Sequence, residues 1–211
     1  ATFFCIGDIA FLRSRFAEAG IDAPVAEIAD PSEAAEAFET ALPVLPLRQG
    51  VASGVAGHPS PADAPAVVES IAEAVERVRL GEARAIVTPT IQKDNLYAAG
   101  FGFPGHTEYL GELAGAFPGL AVPPRPVMML ACAELRAVPV TIHVPLRDVP
   151  SLLTTVLIVE TGEIVARDLE SRFGVARPRL ALAGLNPHAG EGGALGREDQ
   201  EVIAPAVAEL R

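Results

Sequence analysis

Tryptophan is absent from this 211-residue chain, tyrosine and methionine occur twice each, and aromatic residues make up only 5% of it. A core must therefore be built from Ala, Val, Leu and Ile; with 50% hydrophobic residues, enough material for a sizeable one is present. Positive charge is also scarce. Sixteen Lys and Arg face 27 Asp and Glu, a net charge of -11, which argues against nucleic acid or an anionic membrane as a main partner. An anionic metabolite would have to be held by local donors or by a metal. Only two cysteines occur, Cys5 and Cys132. Both fall in apolar, strand-like runs, so two buried, reduced thiols and a cytoplasmic setting are expected, with a disulfide as the alternative. There is no signal-peptide pattern and no run of about 20 apolar residues for a membrane span. The nucleotide and nucleophile fingerprints GxGxxG, GxxxxGK[ST] and GxSxG are missing as well, and nothing suggests Ser/His/Asp catalysis.

What is present is an alternation of strands and helices. Thr2–Ile6 reads as a buried strand, Ile9–Ala19 as an amphipathic helix closed by Gly20, and Val25–Ala29 as a strand. Asp30, Pro31 and Ser32 start a helix expected to reach about Leu42. Val44–Leu47 reads as an edge strand, and residues 49–60 as an exposed loop. Pro61–Leu80 carries Ala66, Val67, Ile71, Ala74, Val75 and Val78 at helical spacing, with Gly81 as its stop. Ala85–Thr88 is an expected strand, and Gln92–Ala99 and Glu108–Ala114 are expected short helices. Val127–Cys132 and Val138–Ile142 are too close for a crossover helix and should form an antiparallel hairpin. Residues 118–126 are a proline-rich loop. Thr154–Phe173 is a second long helix ending at Gly174, Leu180–Ala183 is expected as a buried strand, and a further helix starts near Gly196. The fold class is α/β: a three-layer α/β/α arrangement with a mixed, mostly parallel sheet, divided into residues 1–100 and 101–211, the second part carrying the histidines of interest.

Three of the four histidines fall at strand-to-loop exits. His188 lies in Gly184-Leu185-Asn186-Pro187-His188-Ala189-Gly190-Glu191-Gly192-Gly193, a glycine-rich loop after an apolar run, which is where ligands bind in open α/β sheets. His143 lies in Thr141-Ile142-His143-Val144-Pro145-Leu146-Arg147-Asp148 and His106 in Pro104-Gly105-His106-Thr107-Glu108. A single such histidine is more often a hydrogen-bonded surface residue, and His58 is read that way. Imidazole is the commonest metal ligand near neutral pH, and His143 and His188 form the best pair. Asp148 and Glu191 could orient them by hydrogen bonds; for Asp148 an exposed charge or a helix cap is an equal reading. Gly105-His106-Thr107 opens a helix and offers free N–H groups, a hydroxyl and an imidazole to an anion, or Thr107 simply caps the helix. Lys93, after Thr88-Pro89-Thr90, is the only lysine in the chain. It is either solvated or catalytic.

Together these segments resemble the 4-hydroxythreonine-4-phosphate dehydrogenase family of pyridoxal phosphate biosynthesis. The stretches that carry the likeness are Thr88–Lys93, Phe103–Leu110, Val127–Leu130, His143–Val149 and, most specifically, Gly184–Gly193. The resemblance implies a fold like the isocitrate and isopropylmalate dehydrogenases, a homodimer, and NAD(P) bound without the usual glycine fingerprint. It implies oxidation of the C3 hydroxyl of 4-phosphohydroxy-L-threonine, followed by decarboxylation to an aminoketone phosphate. It makes His143 and His188 two of three ligands to a divalent metal (Zn, Mg or Co), and His106 and Thr107 substrate contacts. Lys93 and Asp148 are then the candidate catalytic groups, with Asn186 and Glu191 supporting the metal histidines. Members of the family extend beyond both ends of this sequence, through a Gly-rich N-terminal loop and a C-terminal His-Asp-Gln segment that carries the third metal histidine. Weak metal binding and little turnover are therefore expected of the 211 residues alone. Rival readings are a dehydrogenase of a phosphorylated sugar acid (threonate or erythronate 4-phosphate), a metal-dependent hydrolase, and an inactive fragment that binds phosphorylated ligands.

Overall fold

Three short parallel strands organise the first part of the molecule. In the computed structural model, which describes residues 2–52, 55–118 and 125–211, β1 (Cys5–Gly7), β2 (Val25–Glu27) and β3 (Leu42–Pro46) form a sheet in the order β1-β3-β2. Val44–Leu47 was expected at an edge, yet β3 is the central strand, despite Pro43 and Pro46. The register explains how. Leu42 donates to Pro24 O and Val44 accepts from Ile28 N–H on the β2 side, while Leu47 donates to Gly7 O on the β1 side. Successive residues thus alternate between neighbours. Pro43 turns its missing N–H toward β1 one residue before that ladder begins at Cys5↔Val44, and Pro46 turns its own toward β2 after that ladder has ended at Glu27↔Val44. Each proline sits where no ladder bond is due. Val44 is fully buried and Pro43 nearly so, and Ile28, Ala34 and Leu45 pack as a core with Phe4, Ile6 and Ala37 against it.

Helix α1 (Ile9–Ala19) has the expected bounds because its ends are chemically marked. Asp8 accepts the Phe11 N–H at 3.0 Å, and Gly20 takes a left-handed φ of 66°. The helix expected over 30–42 is much shorter: a 3-10 turn Pro31–Glu33, closed by an Asp30/Glu33 capping box, leads into α2 (Ala34–Ala37). It stops because Leu42 and the residues after it are claimed by β3. The loop after β3 is clasped by carboxylates. Glu69 accepts the N–H groups of Arg48 (2.9 Å) and Gln49 (3.0 Å), Asp8 that of Val51 (2.9 Å), and Asp63 that of Ala52 (2.7 Å). Glu69 belongs to α3 (Ala64–Arg79), which buries Ala64, Ala66, Ile71 and Val75.

Ala85–Thr88 is not a strand. It runs without a ladder partner among the described residues, and Val87 is 95% exposed. Helices α4 (Lys93–Ala98) and α5 (His106–Gly115) follow, with Phe101, Phe103 and Tyr109 in mutual ring contact at 5.0–5.4 Å. The chain divides by contact into two compact units, Ala1–Pro126 and Val127–Arg211, not after residue 100. Most of the expected loop 118–126 lies outside the described residues.

In the second unit a hairpin forms from β4 (Leu130–Ala131), inside the expected first strand, and β5 (Arg136–Ala137), which falls at the expected link and not in Val138–Ile142. Parallel and antiparallel pairs thus lie in separate sheets of an α/β protein. Val138–Ile142 and Leu180–Ala183 are not strands, because no described strand lies alongside them; Leu180 is exposed instead of buried. Cys132 is exposed, contrary to expectation, because the short hairpin buries neither face; Cys5 is part-buried, both thiols are free, and burial pushes the Cys5 thiol upward in pKa. A short α6 (Val149–Leu152) precedes α7 (Thr155–Ser171), capped by the Thr154 hydroxyl at Leu157 N. The chain ends in a π-helical turn, Asp199–Ile203, and α8 (Ala204–Glu209). Ile158, Val159, Ile203 and Ala206 form the core of this unit. Gly162 lets α8 close on α7: a Cβ there would stand 2.8 Å from Leu210 Cδ1. No single helix among the described residues is long and apolar enough to cross a membrane.

Candidate functional site

Two groups of the expected residues are assembled, one in each compact unit. In the first, Lys93 opens α4 and His106 opens α5. Gly105 has ordinary extended backbone, so its value lies in its missing side chain. A Cβ there would stand 3.4 Å from Glu108 Oε2 and 3.6 Å from Lys93 Nζ, so the ammonium and the carboxylate reach toward the same peptide. His106 Nε2 is sealed from solvent and finds no hydrogen-bond partner among the described residues, a costly state that a ligand would relieve. Thr107 follows, part-buried, and the Tyr109 N–H bonds Gly105 O to start the helix. Behind it the aromatic trio fixes α5, and burial raises the Tyr109 phenol.

In the second unit the glycine-rich loop is a compact, self-bonded turn. Asn186 Oδ1 accepts the His188 N–H at 2.9 Å, and Asn186 Nδ2 donates to Leu195 O at 3.4 Å. His188 Nδ1 lies 2.9 Å from Glu191 Oε1, with both side chains more than half exposed. With Nδ1–H donating to this carboxylate, Nε2 keeps its lone pair for a ligand, the arrangement metal-binding histidines use. The backbone required is unusual. Ala189 (φ 47°) and Glu191 (φ 42°) are left-handed without being glycine, a cost of the kind retained at functional sites. Gly190 admits nothing else: at φ 74° its Cβ would meet Gly196 O at 2.5 Å.

His143 is exposed and also left-handed, at φ 56°. Asp148 ends a 3-10 turn and pairs with Arg147 at 3.6 Å. Among the described residues no three His, Cys, Asp or Glu side chains converge on a point fit for an ion. Sequence reasoning missed Gly105 as a close-approach point; it also missed Asp199, whose carboxylate accepts from Leu185 N at the foot of the loop.

An α/β protein with a histidine-bearing, glycine-rich loop and a Lys/His-lined helix start is the class that these features define. The chain belongs to the pyridoxal phosphate biosynthetic protein PdxA family, which it matches over residues 1–211. It is 53% identical over 210 residues to a 4-hydroxythreonine-4-phosphate dehydrogenase of Methylorubrum populi, covering 99% of this chain and 59% of that protein. It is similar to two solved 4-hydroxythreonine-4-phosphate dehydrogenase structures. That from Klebsiella pneumoniae superposes with a TM-score of 0.80 at 28% identity, covering 98% of this chain and 61% of that one. That from Burkholderia phymatum does so with 0.78 at 32% identity, covering 98% and 60%. The chain thus spans about three fifths of the relatives it matches.

Proposed function

We propose that this chain carries part of the active site of a 4-hydroxythreonine-4-phosphate dehydrogenase, an oxidoreductase of pyridoxal phosphate biosynthesis. The observation that carries the reading is the His188 loop, in which Asn186 holds the His188 backbone N–H and Glu191 engages Nδ1, leaving Nε2 for a ligand. In this reading the C3 carbinol of 4-phosphohydroxy-L-threonine becomes a ketone: the hydroxyl gives its proton to a base, and NAD(P), when bound, would supply the oxidant that takes the hydride from C3. The ketone lies β to the carboxylate, so the C–C bond to the carboxylate breaks, CO2 leaves, and a proton replaces it. A divalent metal held by His143 and His188, with a third ligand, would supply Lewis-acid stabilisation of the developing oxyanion.

The chain's own groups bind and orient. His106 Nε2 and the Thr107 hydroxyl contact the substrate at the start of α5, and Lys93 brings the chain's lone ammonium beside them. Lys93 and Asp148 are the proposed proton carriers. Assembly as a homodimer belongs to the same reading.

The test is NADH formation from 4-phosphohydroxy-L-threonine by the full-length protein with Zn²⁺, Co²⁺ or Mg²⁺. Turnover that His188→Ala removes, together with loss of bound metal, is the expected result. Turnover on threonate 4-phosphate alone would overturn the substrate, and unchanged metal content in His188→Ala would remove His188 from the ligand set.

A further inference from the structure

The loop that presents His188 is held at its foot by a carboxylate from the next element, that of Asp199. The Asp199 carboxylate straddles the Gly184–Leu185 peptide. Oδ2 accepts the Leu185 N–H at 3.4 Å, and Oδ1 stands 3.0 Å from where a Gly184 Cβ would be. A Cβ there would also stand 3.2 Å from Ala189 Cβ and from Asn186 O, so the bare Gly184 leaves room both for this carboxylate and for the loop's own return.

Asp199 is the first residue of the π-helical turn Asp199–Ile203, in which the N–H of Ala204 reaches back to Asp199 O. Such a turn is a less favourable packing of backbone than the α-helix and persists mostly where it serves a site. Two features hold it open. Ile203 is buried against Ile158 and Val159 of α7, and the Thr155 hydroxyl donates to Val202 O at 3.0 Å. Closing the turn to regular α geometry would shift Asp199 along and around the helix axis, away from Leu185 N.

We propose that Asp199 is a positioning residue: set by the π turn that Thr155 pins, it fixes the Gly184–Leu185 peptide and so the point at which the loop offers His188 Nε2. This rests on the reading of His188 as a metal ligand. The signal is absent from sequence patterns because Glu198-Asp199 looks like ordinary acidic charge at a helix start.

The test is Co²⁺ binding to the full-length protein, read as Kd and as the visible d–d spectrum, in Asp199→Ala, Asp199→Asn, Thr155→Val and His188→Ala. Asp199→Ala is expected to weaken Co²⁺ about tenfold or more, as loss of an outer hydrogen-bond partner does at metal sites, and to alter the spectrum. Asp199→Asn, which keeps an acceptor oxygen, should restore most of the affinity, and Thr155→Val should shift Kd in the same direction by less. Wild-type Kd and spectrum in Asp199→Ala, alongside weakened binding in His188→Ala, would overturn the role of Asp199 alone. Wild-type binding in His188→Ala would overturn the ligand reading and the inference with it. Should Asp199→Ala fail to fold, Thr155→Val decides: an unchanged Kd, with hydrogen exchange at the Leu185 amide accelerated, overturns the inference.

Discussion

At the scale of single residues, the His188 loop holds a position that only glycine can fill. Gly190 combines a left-handed φ of 74° with a carbonyl 2.5 Å from any added Cβ. Gly190→Ala should therefore cost about 2 kcal/mol or more, read as a lowered Tm, with fast hydrogen exchange at the Leu195 amide that bonds Gly190 O. A Tm within a degree of wild type would show that the turn has another conformation available. Thr107 offers a different kind of test. Its backbone belongs to α5 whatever its side chain, so Thr107→Val should raise KM for the phosphorylated substrate while leaving metal content unchanged. An unchanged KM would take the hydroxyl out of the substrate site.

Among elements, the contact between α7 and α8 is set by Gly162. The opposing atom is the end of the Leu210 side chain, which can swing aside for one methyl group but not for more. Gly162→Leu should destabilise by about 1–3 kcal/mol, measured by urea unfolding, with Gly162→Ala far milder. Equal costs would mean that the helices separate freely. The same scale shows what a reader of the sequence can recover. Helix α1 is legible because Asp8 and Gly20 mark both ends chemically, and α3 because its apolar residues recur at helical spacing. Ala85–Thr88 and Leu180–Ala183 have strand composition, but a strand exists only when a second strand satisfies its backbone, and none of the described residues does so. Val44–Leu47 reads as an edge strand from sequence; the alternation of ladder partners that lets Pro43 and Pro46 sit in a central strand is a property of the assembled sheet. The His188 loop was legible because glycine, asparagine and histidine cluster there. Its neighbour at the foot, Asp199, opens a different element and was not.

For the molecule as a whole, acid is the condition that should loosen it. The backbone N–H groups of Phe11 and Val51 hold the Asp8 carboxyl below its usual range. Burial acts to raise Glu69, but the N–H groups of Arg48 and Gln49 and the Arg48 guanidinium outweigh it and lower that group as well. Groups depressed in the folded state contribute stability that is fully present above the ordinary carboxylate pKa of about 4 and is lost as pH falls through it toward the folded values. Tm should therefore fall between about pH 5 and pH 3, and Asp8→Asn with Glu69→Gln should flatten that dependence while lowering the neutral-pH Tm. An equally steep fall in the double variant would place the acid-sensitive groups elsewhere.

The two prolines of β3 also act before the sheet exists. Proline limits the residue in front of it to extended conformations, so Leu42 and Leu45 are biased toward strand geometry in the unfolded chain, as Pro43 and Pro46 are by their own rings. The strand that must find two partners at once enters folding with fewer conformations to lose than either neighbour, and the central position falls to the segment for which ordering is cheapest.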